Sequence, residues 1–142
     1  MDQDWMAVLQ RCGLQVVQDH AIDALPINSA FYAVNGVDVE PVASVPFSSS
    51  GAMGELSRLW HTQSSVLPLC DEDGDFLIMP PGAGGSKVGW VKVKDQVGID
   101  LPARIANVTG SPEFIAISPD GRRLCAVTVE DDEYWVVVHK FA

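Results

Sequence analysis

Apolar residues recur at helical spacing early in the chain and alternate at strand spacing later. Trp5, Val8, Leu9 and Cys12 stand at i, i+3, i+4 and i+7, which predicts a short helix, with Asp4 as its cap and Gly13 as its stop. Leu14–Gln18 reads as a short strand or extended connection. A second helix is predicted over about Pro26–Val34. Proline suits the first turn, Ile27, Ala30, Phe31 and Val34 line one side, and Asn35-Gly36 can end it. Val37–Glu40 and Val42–Val45 are short extended pieces broken by Pro41 and Pro46. Ser48-Ser49-Ser50-Gly51 can cap a third helix, roughly Ala52–His61, with Met53, Leu56 and Trp60 as its stripe. Strand signals follow at Val66–Leu69, Phe76–Met79, Val88–Lys94, Phe114–Ser118, Leu124–Glu130 and Tyr134–Lys140, with turn residues between them. The stretch from Pro102 to Pro112 reads as a loop crossing the sheet edge. No internal repeat is present; Ile117–Leu124 looks like one hairpin of a β-propeller blade, but it occurs once. The expected fold is α+β, with short N-terminal helices packed on one face of a mostly antiparallel sheet of about six strands.

The length, 142 residues, suits a single domain over 1–142 with a real core, and 47% hydrophobic with 20% charged residues is globular composition. Charge changes the picture more. Nineteen acids face nine bases, a formal net charge of −10, spread over both halves of the chain. Such a field repels phosphate backbones and anionic membrane surfaces, and it attracts basic proteins. The acidic start Met1-Asp2-Gln3-Asp4 is unlike a signal peptide, and no apolar run approaches a membrane span. Three widely spaced cysteines, Cys12, Cys70 and Cys125, read as reduced thiols, so a cytoplasmic location is expected.

The acids are densest at two predicted turns, Asp71-Glu72-Asp73-Gly74-Asp75 and Glu130-Asp131-Asp132-Glu133. The first superficially resembles a calcium loop, but an EF-hand needs glycine at position 6 and glutamate at position 12, where this chain has Phe76 and Gly82. A solvated hairpin turn is the plainer reading, and docking to a protein lies between the two. Pro80–Lys87 is glycine-rich, but Ser86 precedes Lys87 and a strand follows, so it is not a phosphate-binding loop. His20, His61 and His139 show no paired spacing, no zinc-type cluster exists, and no Gly-x-Ser-x-Gly elbow occurs. No catalytic residue, metal or cofactor is therefore expected. A Cys–His pair formed in space stays open, since such pairs need not be close in sequence. In Val88–Lys94, Trp90 shares a face with Lys92 and Lys94, which suggests a partly exposed ring; the alternative is a ring covered by lysine stems at a sheet edge. In Tyr134–Lys140 both faces are apolar near the middle, which predicts a central strand and Trp135 in the core.

Ala24–Gly36, with its Leu25-Pro26, aromatic helix and Asn35-Gly36, resembles the entry helix of the SUKH superfamily. Val66–Leu77, an apolar strand followed by an acidic glycine turn and a second strand, resembles a later feature of that family. The chain departs from the pattern in its short first helix, in Val37-Asp38 after Asn-Gly, and in its three C-terminal strands. The resemblance implies a bacterial immunity protein that binds and blocks a toxin injected by a neighbour. Charge points separately to a basic partner, to be met by Asp71, Glu72, Asp73, Asp75, Trp90, Glu130, Asp131, Asp132 and Glu133. The rival expectations are a small-molecule-binding domain or small enzyme using a Cys/His site, and an adaptor subunit.

Overall fold

A computed structural model describes residues 5–22, 26–35, 39–66, 68–79 and 89–141. Its elements run α1 (Trp5–Arg11), β1 (Leu14–Ile22), α2 (Ile27–Asn35), β2 (Ala43–Pro46), α3 (Ala52–Val66), β3 (Asp75–Met79), β4 (Trp90–Asp95), α4 (Leu101–Thr109), β5 (Phe114–Ile117), β6 (Arg123–Val129) and β7 (Glu133–Lys140). The fold is α+β. The strands form one antiparallel sheet of seven, in the order β1-β4-β3-β5-β6-β7-β2.

Strand alternation sorts the core into two layers. Phe76, Ile78, Val91, Val93, Phe114, Ala116, Cys125, Val127 and Val136 face one side, where Leu9 of α1, Leu56 and Trp60 of α3, and Leu101 and Ile105 of α4 cover them. Trp60 meets Phe114 edge-on, with ring centroids 5.2 Å apart. Leu77, Met79, Trp90, Ile115, Ile117, Leu124, Ala126 and Val137 face the other side, with Ala30 and Val34 of α2. The helices thus occupy both faces of the sheet, not one. The central strands explain why: β3 and β5 are buried at every position, so each face needs a cover.

The expected loop after Pro102 is a helix. Leu101, Ile105 and Val108 recur at i, i+4 and i+7, Pro102 occupies the first turn, and Gly110 ends it with φ +89°. One of its first-turn amides, Ala103 N–H, donates to Ser57 Oγ at 3.2 Å and so joins α4 to α3. Among the described residues of the expected strand Val66–Leu69 none is in a strand: Val66 ends α3, and residues 68–69 are irregular. Thr62 donates its hydroxyl to the Arg58 carbonyl, and Ser64 and Ser65 donate theirs to that of His61. The cap expected at Asp4, the glycine-rich loop at Pro80–Lys87, Val88 and the extended residues 37–38 lie outside the described residues.

The predicted hairpin at Ile117–Leu124 forms as β5–β6. Ser118 N–H donates to Arg123 O and Gly121 N–H to Ser118 O, both at 2.8 Å. The buried Ser118 hydroxyl donates to Asp120 Oδ1, which also accepts Arg122 N–H. The Ser118 hydroxyl bond, then the Arg122 amide, holds the Asp120 carboxyl below its ordinary value of 3.8. A carboxyl depressed on folding contributes stability at pH above its unfolded value, and loses it as pH falls through the folded value. Ser118→Ala should therefore raise the Asp120 pKa toward 3.8 in a carboxyl-detected NMR titration. An unmoved titration would show that the hydroxyl does not set it.

Candidate partner-binding surface

The sheet register separates the two acidic turns. Asp75 opens β3 opposite Lys94 at the end of β4, and Leu77 lies opposite Ile117 at the end of β5. Ile117 is opposite Leu124, and Arg123 is opposite Lys140. The Asp71–Asp75 loop therefore shares a sheet end with the β5–β6 turn. Glu130–Glu133 joins β6 to β7 at the opposite end, beside the start of β5. No compact interface unites both turns.

The two ends differ in charge balance. The first is rich in cations: Lys92 and Lys94 pair with Asp75 at 3.9 and 3.7 Å, Arg104 with Asp95 and Asp100, and Arg123 with Asp120. Its acidic loop links α3 to β3 and is not the expected hairpin. At the second end, Glu113, Glu130, Asp131, Asp132 and Glu133 take part in none of the ion pairs among the described residues. Uncharged donors hold three of them in place. Thr128 Oγ1 donates to Glu130 at 2.8 Å, Val129 N–H to Glu113 at 3.3 Å, and Trp135 Nε1 to Glu133 at 2.6 Å. Glu130 N–H donates to Glu133 O at 2.9 Å and closes the hairpin, leaving Asp131 and Asp132 exposed at its tip.

Apolar surface adjoins these acids. Phe47, just after β2, is 41% exposed. Its N–H donates to Asp132 O at 3.0 Å, and its ring leans on Tyr134 with centroids 4.6 Å apart. Val129, 38% exposed, lies opposite Tyr134. Sequence reasoning did not single out Phe47, Tyr134, Val129 or Glu113. The available signal was an aromatic residue directly after Pro46, since a proline marks an edge strand, whose end lies near the surface.

Trp90 does not belong to this surface. Its ring is 2% exposed and packs with Leu77 and Met79 in the layer that α2 covers. The expectation of an exposed ring fails because β1 pairs along β4, which makes β4 an interior strand. Trp135 is half-buried on the same layer.

A concavity of about 300 Å³ lies between α3 and the loop ahead of β3, with Trp60, His61, Leu69, Cys70, Phe76 and Asp95 among its lining. Cys70 reaches the surface, yet partial burial and then Asp71, Asp95 and Asp75 push its thiol above the ordinary value. Burial also raises Cys12 and Cys125, both inside the core. A thiol held protonated is a poor nucleophile. His139 is exposed and meets Phe141 edge-on, with ring centroids 4.5 Å apart. The side chain of His20 lies outside the described residues.

No family model matches the chain, and no curated protein or solved structure is significantly similar to it. Among the described residues, no helix is long and apolar enough to cross a membrane.

Proposed function

We propose that the protein is an acidic cytoplasmic immunity protein that binds a cognate basic bacterial toxin domain and occludes its active site. One observation carries this reading. Glu113, Glu130, Asp131, Asp132 and Glu133 gather at one sheet end without an ion pair among the described residues, beside the exposed Phe47, whose ring leans on the half-buried Tyr134. Unpaired, positioned carboxylates accept Arg and Lys of a partner, and an aromatic pair beside them supplies apolar contact. The net charge of −10 accelerates encounter with a basic surface. The sequence likeness of Ala24–Gly36 to the entry helix of SUKH immunity proteins supports the same role, whereas Val66–Leu77 lacks the first strand of the second likeness. Occlusion needs no catalytic residue, metal or cofactor.

The test is genetic. A reading frame beside this gene should end in a toxin domain that arrests growth when expressed alone, and co-expression of this chain should restore growth. Arrest that persists while the chain is folded and abundant would overturn the reading. A small-molecule site or small enzyme is the second reading, favoured by His61 and Cys70 lining one cavity. It competes only if a ligand-dependent signal exists and disappears in Cys70→Ser.

A further inference from the structure

The indole of Trp60 carries a polar group that the fold leaves unmatched. The residue is 6% exposed, and its Nε1 is buried with no hydrogen-bond acceptor among the described residues. The edge-on contact with Phe114 can offer that N–H only the weak acceptor of an aromatic face. Most buried donors in folded proteins have a partner, in protein or in ordered water, and one without is destabilising. Trp60 also lines the concavity of about 300 Å³ between α3 and the loop ahead of β3. Buried Leu69 and Phe76 make part of its lining apolar. Its carboxylate is already occupied: Asp95 Oδ1 accepts the amides of Val97 and Gly98 at 3.0 and 3.1 Å, and Oδ2 accepts Arg104 Nη2 at 2.7 Å. Among the described residues, no Lys or Arg lines it.

We infer that this concavity binds a small neutral molecule with an apolar ring and one carbonyl oxygen, and that this oxygen accepts the Trp60 N–H. The ring rests against Leu69, Phe76 and the indole, and Cys70, a thiol held protonated, adds a weak second donor. An anion finds no Lys or Arg there, and a cation finds Asp95 already paired, so a neutral ligand fits best. The volume stands at the low end of the roughly 300–1,000 Å³ range of ligand pockets, which suits one ring and not a dinucleotide. The N–H is closed to solvent in the free protein, so binding turns the indole slightly toward the concavity, about a χ2 that is soft in aromatic side chains. The site rests on the small-molecule reading of the concavity, with Trp60 and not Cys70 as its anchor. It lies at the sheet end opposite Glu130–Glu133 and does not depend on the proposed partner.

Acetanilide, a phenyl ring with one amide carbonyl, is the probe, titrated into the full chain and followed by ¹⁵N–¹H NMR; a fragment of this size belongs in the millimolar class. The Trp60 indole signal, assigned by its loss in Trp60→Phe, should move downfield and saturate together with amides near Cys70 and Gly98. Trp60→Phe should weaken acetanilide about fivefold or more, the worth of one hydrogen bond, and leave the affinity for toluene, a ring without an acceptor, unchanged. Ser65→Trp, at an exposed position on the rim, should block both probes, and it keeps the test decisive if Trp60→Phe does not fold. Phenylacetate, an anionic counterpart, should bind more weakly than acetanilide. Binding should survive Cys70→Ser and Asp131→Lys/Asp132→Lys. Four results overturn the proposal: no saturable shift up to about 30 mM; saturation around an unmoved indole, as for an N–H already held by water; undiminished acetanilide affinity in Trp60→Phe; or unhindered binding in Ser65→Trp. Equal binding of phenylacetate would overturn the neutral class, and loss in Cys70→Ser would return the anchor to the thiol. Failure of the toxin test leaves each of these outcomes readable.

Discussion

Arg104→Met should lower stability by about 2–3 kcal/mol, the cost of leaving part-buried acceptors without their charged donor. The guanidinium is 14% exposed and spends every nitrogen on a fixed acceptor. Nη1 donates to Cys12 O at 2.6 Å, a carbonyl just beyond the end of α1. Nη2 donates to Asp95 Oδ2 at 2.7 Å and Ile99 O at 2.8 Å, and Nε to Asp100 Oδ1 at 2.9 Å and Ile99 O at 3.1 Å. One side chain on α4 therefore ties together α1, the end of β4 and the loop before α4. Gly13 makes room for it: with φ +84°, a Cβ there would stand 2.6 Å from Nη1. Methionine keeps much of the volume but leaves two carboxylates and two carbonyls without their donor. Urea unfolding should show a lower midpoint with an unchanged slope. Arg104→Lys should recover only a minor part, since a single ammonium cannot reproduce the fork. A loss under about 1 kcal/mol would mean that water replaces these bonds at little cost, and the joint would not be structural.

The legible parts of the fold were those where one physical signal acted alone. The stripe of Val8, Leu9 and Cys12 produced α1, and the Ser118–Gly121 turn produced the β5–β6 hairpin, because spacing and turn chemistry there agree. Helix α4 was obscured by its own signals: Pro102 reads as a breaker until Asp100 is seen to precede it and Gly110 to follow. Val66–Leu69 read as a strand because apolar composition favours one, while the hydroxyls of Ser64 and Ser65 bond back into the helix. Trp90 illustrates a deeper limit. Alternation placed it correctly on one face with Lys92 and Lys94, but only the pairing of β1 with β4 and the position of α2 decide that this face is inside. The acidic turns were legible as residues but not as a surface, because their separation depends on strand order.

That separation governs the last expected result. Asp131→Lys/Asp132→Lys and Glu72→Lys/Asp73→Lys change net charge identically: each replacement adds two units, so two take −10 to −6. All four side chains are exposed and, among the described residues, none forms an ion pair, so both variants should keep the wild-type fold. Long-range attraction is reduced alike in both, and any difference between them reports position. Nona-arginine amide serves as a minimal basic partner, with binding read from NMR shifts at low ionic strength. The Asp131/Asp132 variant should lose about tenfold or more in affinity, and its shifts at Phe47, Val129 and Tyr134 should vanish. The Glu72/Asp73 variant should lose several-fold less, because Lys92, Lys94 and the arginines nearby already oppose a basic ligand at that end. Added salt should weaken the wild-type interaction as the screening length falls from about 30 Å at 0.01 M to about 8 Å at 0.15 M. Equal losses in the two variants would assign attraction to the whole field and remove the β6–β7 end as the docking surface. Wild-type affinity in both, or indifference to salt, would remove electrostatic recognition of a basic partner altogether.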